Sequence, residues 1–92
     1  MYIRVTRGWL EPAKYDEMAR IVPDLTAAIR RLRGCQGFHP GGDRAAGRIV
    51  AVSIWDTAEH ARWAREALGE VQRRVEATGV RLDPPEIYEG FP

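Results

Sequence analysis

The sequence predicts a small α+β fold, and three observations predict it. Residues 1–8 and 48–55 have the alternating or fully apolar pattern of strands. Residues 15–32 and 61–75 place apolar side chains three and four apart, as amphipathic helices do. Turn residues separate these stretches in the order β-α-β-β-α-β.

In the first stretch Tyr2, Arg4 and Thr6 alternate with Ile3 and Val5, so a strand starts almost at the N-terminus. Glu11-Pro12 opens a helix, because proline at the first helical position gives up no hydrogen bond and arrives with φ already set. Tyr15, Met18, Val22, Leu25, Ile29 and Leu32 form one apolar stripe, and Gly34 ends it. Pro23 lies inside that stripe and removes a backbone bond, so a kink or short break is expected near residues 20–23. Residues 35–40 make a shorter second strand, and 41–47, GGDRAAG, supply the turn of a hairpin into RIVAVSIW. Asp56 is placed to cap a second helix, with Glu59 reaching back in a capping box. That helix carries Ala61, Ala64, Leu68, Val71 and Val75 on one face and stops at Gly79. Residues 80–82 and 86–88 give a final strand interrupted by Asp83-Pro84-Pro85, which confines it to an edge or a bulge.

This is a ferredoxin-like plan in a single domain, residues 1–92, with an antiparallel sheet and two helices on one face. RIVAVSIW is apolar on both sides: Val50, Val52 and Ile54 on one, Ile49, Ala51 and Trp55 with Ser53 on the other. The helices cover one side only. The expectation is that the odd-numbered side is left for a partner and that sheet-on-sheet packing of two identical chains buries it; the alternative is a modestly apolar, solvated face. The chain is 45% apolar and 29% charged, too apolar for a disordered protein. A formal charge of +1, from 14 basic and 13 acidic residues, provides no field to steer it toward nucleic acid or an anionic membrane. No apolar run approaches the ~18 residues of a membrane span, and residues 1–8 lack the apolar core of a signal peptide. Cys35 is the only cysteine, which excludes an intrachain disulfide and points to a reducing, cytoplasmic setting.

The stretch LRGCQGFHPGGDRAAGRIVAVSIWDTAEHARW carries a resemblance. It has a glycine and the Gly37-Phe38 pair, a hairpin, an apolar strand closing in Trp55, and the acidic-Thr start, Asp56-Thr57, of a second helix. With this pattern the chain resembles, over nearly its whole length, the antibiotic biosynthesis monooxygenase type of the dimeric α+β barrel superfamily. The resemblance implies a homodimer whose sheets close a barrel, with a small-molecule cleft between sheet and helices in each subunit. It also implies activities that range from cofactor-free oxygenation of aromatic polyketides to haem degradation. The oxygenase and haem-degrading branches use an asparagine in the cleft, often with a tryptophan, and the haem branch adds a histidine late in the second helix. This sequence has no asparagine. Trp63 is displaced by about one residue, or ~100° around a helix. Late in the second helix stand Glu70, Val71 and Gln72, with no histidine to bind iron. The haem branch is therefore disfavoured, no cofactor is expected, and oxygenation lacks its usual polar partner.

The residues able to do chemistry are few. His60 and Trp63 are neighbours on the second helix, at the flank of its apolar stripe, where they either line a cleft mouth or sit at an ordinary core boundary. His39 is either a base or a solvated loop residue. Neither histidine has partners at metal-site spacing, and no metal is expected. Arg4 is suited to hold a carboxylate or phenolate, or else pairs with a glutamate across the dimer. Tyr15 offers a phenol but also begins the helix stripe, and Arg30, Arg31 and Arg33 complement a helix C-terminus. Ser53 has no triad partners nearby, and Cys35 follows a helix C-terminus, which disfavours its thiolate. Gln72 is the one carboxamide on a helix bordering the cleft, and it can both donate and accept. The reading is a metal-free, monooxygenase-like enzyme for a small aromatic or polycyclic substrate. Trp9, Tyr15, Trp63 and Gln72 would shape its cavity, His60 would transfer protons, and Arg4 would stabilise an enolate or phenolate. The alternative is a non-catalytic dimeric module that holds or senses a small ligand in the same cleft.

Overall fold

The computed structural model describes every residue from Met1 to Pro92. Strand β1 (Tyr2–Trp9) lies in the middle of one antiparallel sheet. It pairs on one side with β3 (Arg48–Trp55), and β3 pairs outward with β2 (Cys35–Asp43). Two short strands, β4 (Arg81–Leu82) and β5 (Glu86–Glu89), share the other side of β1. Asp83, Pro84 and Pro85 divide them as expected, because two successive prolines present no N–H to the ladder. Strand β2 runs past Pro40 to Asp43, so the hairpin turn is shorter than expected, residues 44–47. The whole is α+β, with the antiparallel sheet and helix layer of a ferredoxin-like fold.

A turn of 3-10 helix (Pro12–Lys14) leads into α1 (Tyr15–Arg30). The expected break at Pro23 is absent. Pro23 and Ala19, whose carbonyl loses its donor there, are both exposed, and water can complete the bond. The second helix departs further from expectation. It is three pieces: α2 (Ala58–Ala61), a 3-10 turn (Arg65–Leu68), and α3 (Glu70–Ala77). Gly69 separates the last two with φ +57° and ψ −126°, a conformation open to glycine and costly for other residues. The cap of α2 is Thr57, whose hydroxyl accepts from the His60 backbone N–H at 3.1 Å. The Asp56 carboxylate does not cap α2; it lies 2.7 Å from His60 Nδ1.

The two faces of β3 are the reverse of the expectation. Trp55 is completely buried on the helix side, against Ala61, Ile29, Phe38 and Leu68, and Ser53 and Ala51 share that side. The open face holds the even-numbered Val52 and Ile54, cross-paired with Val5 and Ile3 and half-buried. Alternation states which residues share a face but not which face is covered. Burying an indole gains more than burying an isoleucine, and Ala61 leaves room for it. A second core cluster, Leu10, Met18, Ile21 and Val75, ties α1 to α3, and Arg74 adds an ion pair to Asp24 at 2.7 Å.

Candidate functional site

A cleft of about 310 Å³ opens between the helix side of the sheet and the layer formed by α1 and α3. That volume is at the small end of ligand sites, which run about 300–1,000 Å³. Most of its wall is apolar, including Met18, Val22 and Ile29 from α1, Phe38 and Ala51 from the sheet, and Leu68. Among its lining residues there is no histidine, aspartate or glutamate.

Arg4 dominates the polar part. Even-numbered β1 residues face the helices, and Arg4, opposite Ser53, is only 4% exposed. Its Nη1 donates to the carbonyls of both Ala61 and Trp63, at 2.9 Å each. These carbonyls are available because the helix breaks after Ala61, and the guanidinium closes that C-terminus in place of the missing turn. The same group stacks on the Trp63 ring, 4.2 Å from its centroid, and Trp63 leans on Trp55 at 6.3 Å. Trp55 Nε1 in turn donates to Ser53 Oγ at 2.8 Å. Two buried donors at this centre, Arg4 Nε and Trp63 Nε1, have no acceptor. Burial, followed by the nearby positive charge of Arg65, lowers the Arg4 pKa from the usual arginine range to about 10. Arg4 stays cationic at neutral pH, with no carboxylate paired to it.

The cleft brings together Arg4, Tyr15, Trp63 and Gln72 of the residues singled out from sequence. Tyr15 stands at the rim, its hydroxyl so near the backbone of Gly42 that an added Cβ there would lie 2.5 Å away, and Arg44 covers its ring. Gln72 Nε2 donates to Glu76 at 3.0 Å. His60 and Trp9 are not among the residues that line the cleft. His60, within α2, lies beside Gly34 with its Nδ1 against the Asp56 carboxylate. The bond from His60 is the main reason the Asp56 carboxyl titrates below the usual aspartate range. Trp9 is an odd-numbered β1 residue, so it shares the open face with Ile3, Val5 and Arg7 and is 46% exposed. Arg4 lies on the helix side of the sheet, not on its open face.

Sequence reasoning passed over Arg65, a cleft residue. The signal was available: Arg65 is four residues after Ala61 and three before Leu68, a charge at the spacing of the buried stripe. No cluster of three His, Cys, Asp or Glu side chains gathers to hold a metal. Nor do the cleft residues fit a haem with a histidine axial ligand, since both histidines lie outside it. No helix is long and apolar enough to cross a membrane.

Solved structures with this architecture decide the fold. A candidate antibiotic biosynthesis monooxygenase from Deinococcus radiodurans superposes with a TM-score of 0.78 at 18% identity, covering 100% of this chain and 94% of that one. The chain has the α+β barrel fold of the antibiotic biosynthesis monooxygenase type. SnoaB of Streptomyces nogalater, a cofactor-independent oxygenase solved as an asparagine-to-alanine variant, shares this monooxygenase-type fold with a TM-score of 0.62 at 18% identity, over 97% of this chain and 91% of that one. Rv0793 from Mycobacterium tuberculosis does so at 0.68 and 9% identity, over 100% of this chain and 97% of that one. No protein-family model matches the sequence, and no curated protein aligns with it significantly.

Proposed function

We propose that the protein is a cofactor-independent, monooxygenase-like enzyme that binds a small aromatic substrate in the sheet-helix cleft. The observation that carries this reading is a buried, unpaired guanidinium at the inner wall of an apolar cavity, in a chain with a monooxygenase-type fold. Oxygenation without a cofactor draws all its electrons from the substrate, which must first become an enolate or phenolate. When a ring methylene becomes a carbonyl, its four electrons reduce dioxygen, one oxygen atom stays in the product and the other leaves as water. Arg4 stabilises the anion electrostatically, and the apolar walls exclude water. His60 has no part in this reading, because a proton-transfer group must reach the substrate. Tyr15 and Gln72 are the polar groups left to orient the ring.

A second reading is favoured by one observation. The cleft holds no carboxylate or imidazole to act as a base, which suits a module that binds or senses a ligand without converting it. Oxygen uptake with anthrone and naphthohydroquinone substrates separates the two. Turnover above the rate of spontaneous oxidation, lost in an Arg4→Met variant that remains folded, supports the enzyme; saturable binding with no uptake supports the module.

The homodimer belongs to the same proposal. The uncovered face of the sheet carries Ile3, Val5, Val52 and Ile54, and a second copy packing sheet to sheet removes them from water. A cytoplasmic setting, suggested by the single Cys35, is also proposed.

A further inference from the structure

We propose that the ligand of this cleft enters as an organic oxyanion, a carboxylate or phenolate on an aromatic body, with its charge held between Arg4 and Arg65. This rests on the sheet-helix cleft being the ligand site and adds the charge of the ligand to it. Three observations point the same way. Arg4 and Arg65 both line the cleft, and no acidic side chain lines it with them, so its fixed charge is uncompensated. Arg4 forms no ion pair with any residue, although its residue is nine-tenths buried and more. Both hydrogen bonds of its guanidinium leave from Nη1, while Arg4 Nε and Trp63 Nε1 are buried donors without acceptors.

Buried donors normally find acceptors, and each one left unmade costs free energy. A buried cation without a counter-charge is costlier still. An incoming oxyanion supplies what the fold withholds: acceptor lone pairs for the free nitrogens and a negative charge between two positive ones. A neutral ligand of the same shape can offer acceptor lone pairs but leaves the positive charge uncompensated. The remaining wall, from Phe38, Met18, Val22 and Leu68, has the apolar character to take the ring system.

Calorimetric titration at neutral pH, with four naphthalene probes, tests this. 2-Naphthoate and a dinitro-1-naphtholate are anions there; 2-naphthamide and 2-naphthylmethanol are their neutral counterparts. The expected result is that at least one anion binds about tenfold or more tightly than either neutral probe, the ratio that one charge-assisted hydrogen bond supports. The tighter of the two anions then identifies carboxylate or phenolate as the group recognised. Arg65→Gln should shrink the anion-to-neutral ratio several-fold, whereas Arg62→Gln, a neighbouring exposed charge outside the cleft, should leave it intact. Melting curves confirm that each variant is folded. Equal affinity for anionic and neutral probes overturns the charge inference and leaves the cleft as a ligand site. No binding of any probe overturns the cleft reading and the charge inference together.

Discussion

Replacing Arg4 by methionine tests whether the buried guanidinium is a structural clasp. Methionine keeps much of the length and apolar stem while removing the charge. Two charge-assisted bonds to the Ala61 and Trp63 carbonyls are lost, at about 1.5–3 kcal/mol each. The stacking on Trp63 adds about 1 kcal/mol. Against this, the variant escapes the burial and repulsion that lower the Arg4 pKa to about 10, a relief of at most about 3 kcal/mol. The balance is a destabilisation of about 2 kcal/mol, or a fall in Tm of about 8–16 °C for a domain of this size. Hydrogen exchange should localise the loosening to the segment between α2 and α3, whose free carbonyls no longer have a donor. Calorimetric unfolding of the two proteins, with exchange measured on each, is the assay. A variant that melts at or above the parent temperature refutes the reasoning, because the clasp would then be worth less than the cost of burying it.

Val52→Asp places a carboxylate on the open sheet face, so it should leave the monomer folded and shift sedimentation from dimer to monomer; a variant that stays dimeric shows that copies associate elsewhere. Asp16, Asp56 and Glu86 titrate below their ordinary values of 3.8, 3.8 and 4.5, held by Arg44, His60 and Tyr88 respectively. The unfolded chain therefore binds protons first, and stability present above those ordinary values is lost as pH falls below them; Asp56→Asn should flatten this acid limb, and an unchanged acid melting profile would count against the His60 bond. Haemin titration should give no one-to-one endpoint in the Soret band, since no histidine reaches the cleft; a sharp endpoint abolished by His60→Ala would show that the cleft rearranges around that residue.

By itself the sequence determined the elements whose signals are local. Alternation marked β1, the apolar stripe marked α1, the Asp83-Pro84-Pro85 break marked the split final strand, and the order of elements led to the α+β plan. It also marked Arg4, on the face it shares with Tyr2 and Thr6, as a group able to hold an anion. Tertiary structure decided what depends on partners distant in the chain. Period-2 alternation is symmetric, so which face of β3 met the helices waited on Trp55 finding Ala61, Ile29 and Phe38. Helical spacing through residues 61–75 suggested one continuous helix, but propensity is a weak prior that a single long-range contact can override. Here Arg4, 57 residues away from Ala61, accepts the break by bonding the carbonyls it exposes. Of the residues near that break, Trp63 and Arg65 line the cleft and His60 does not. The residue that bonds the carbonyls at this helix stop thus lies on a strand 57 residues earlier in the chain.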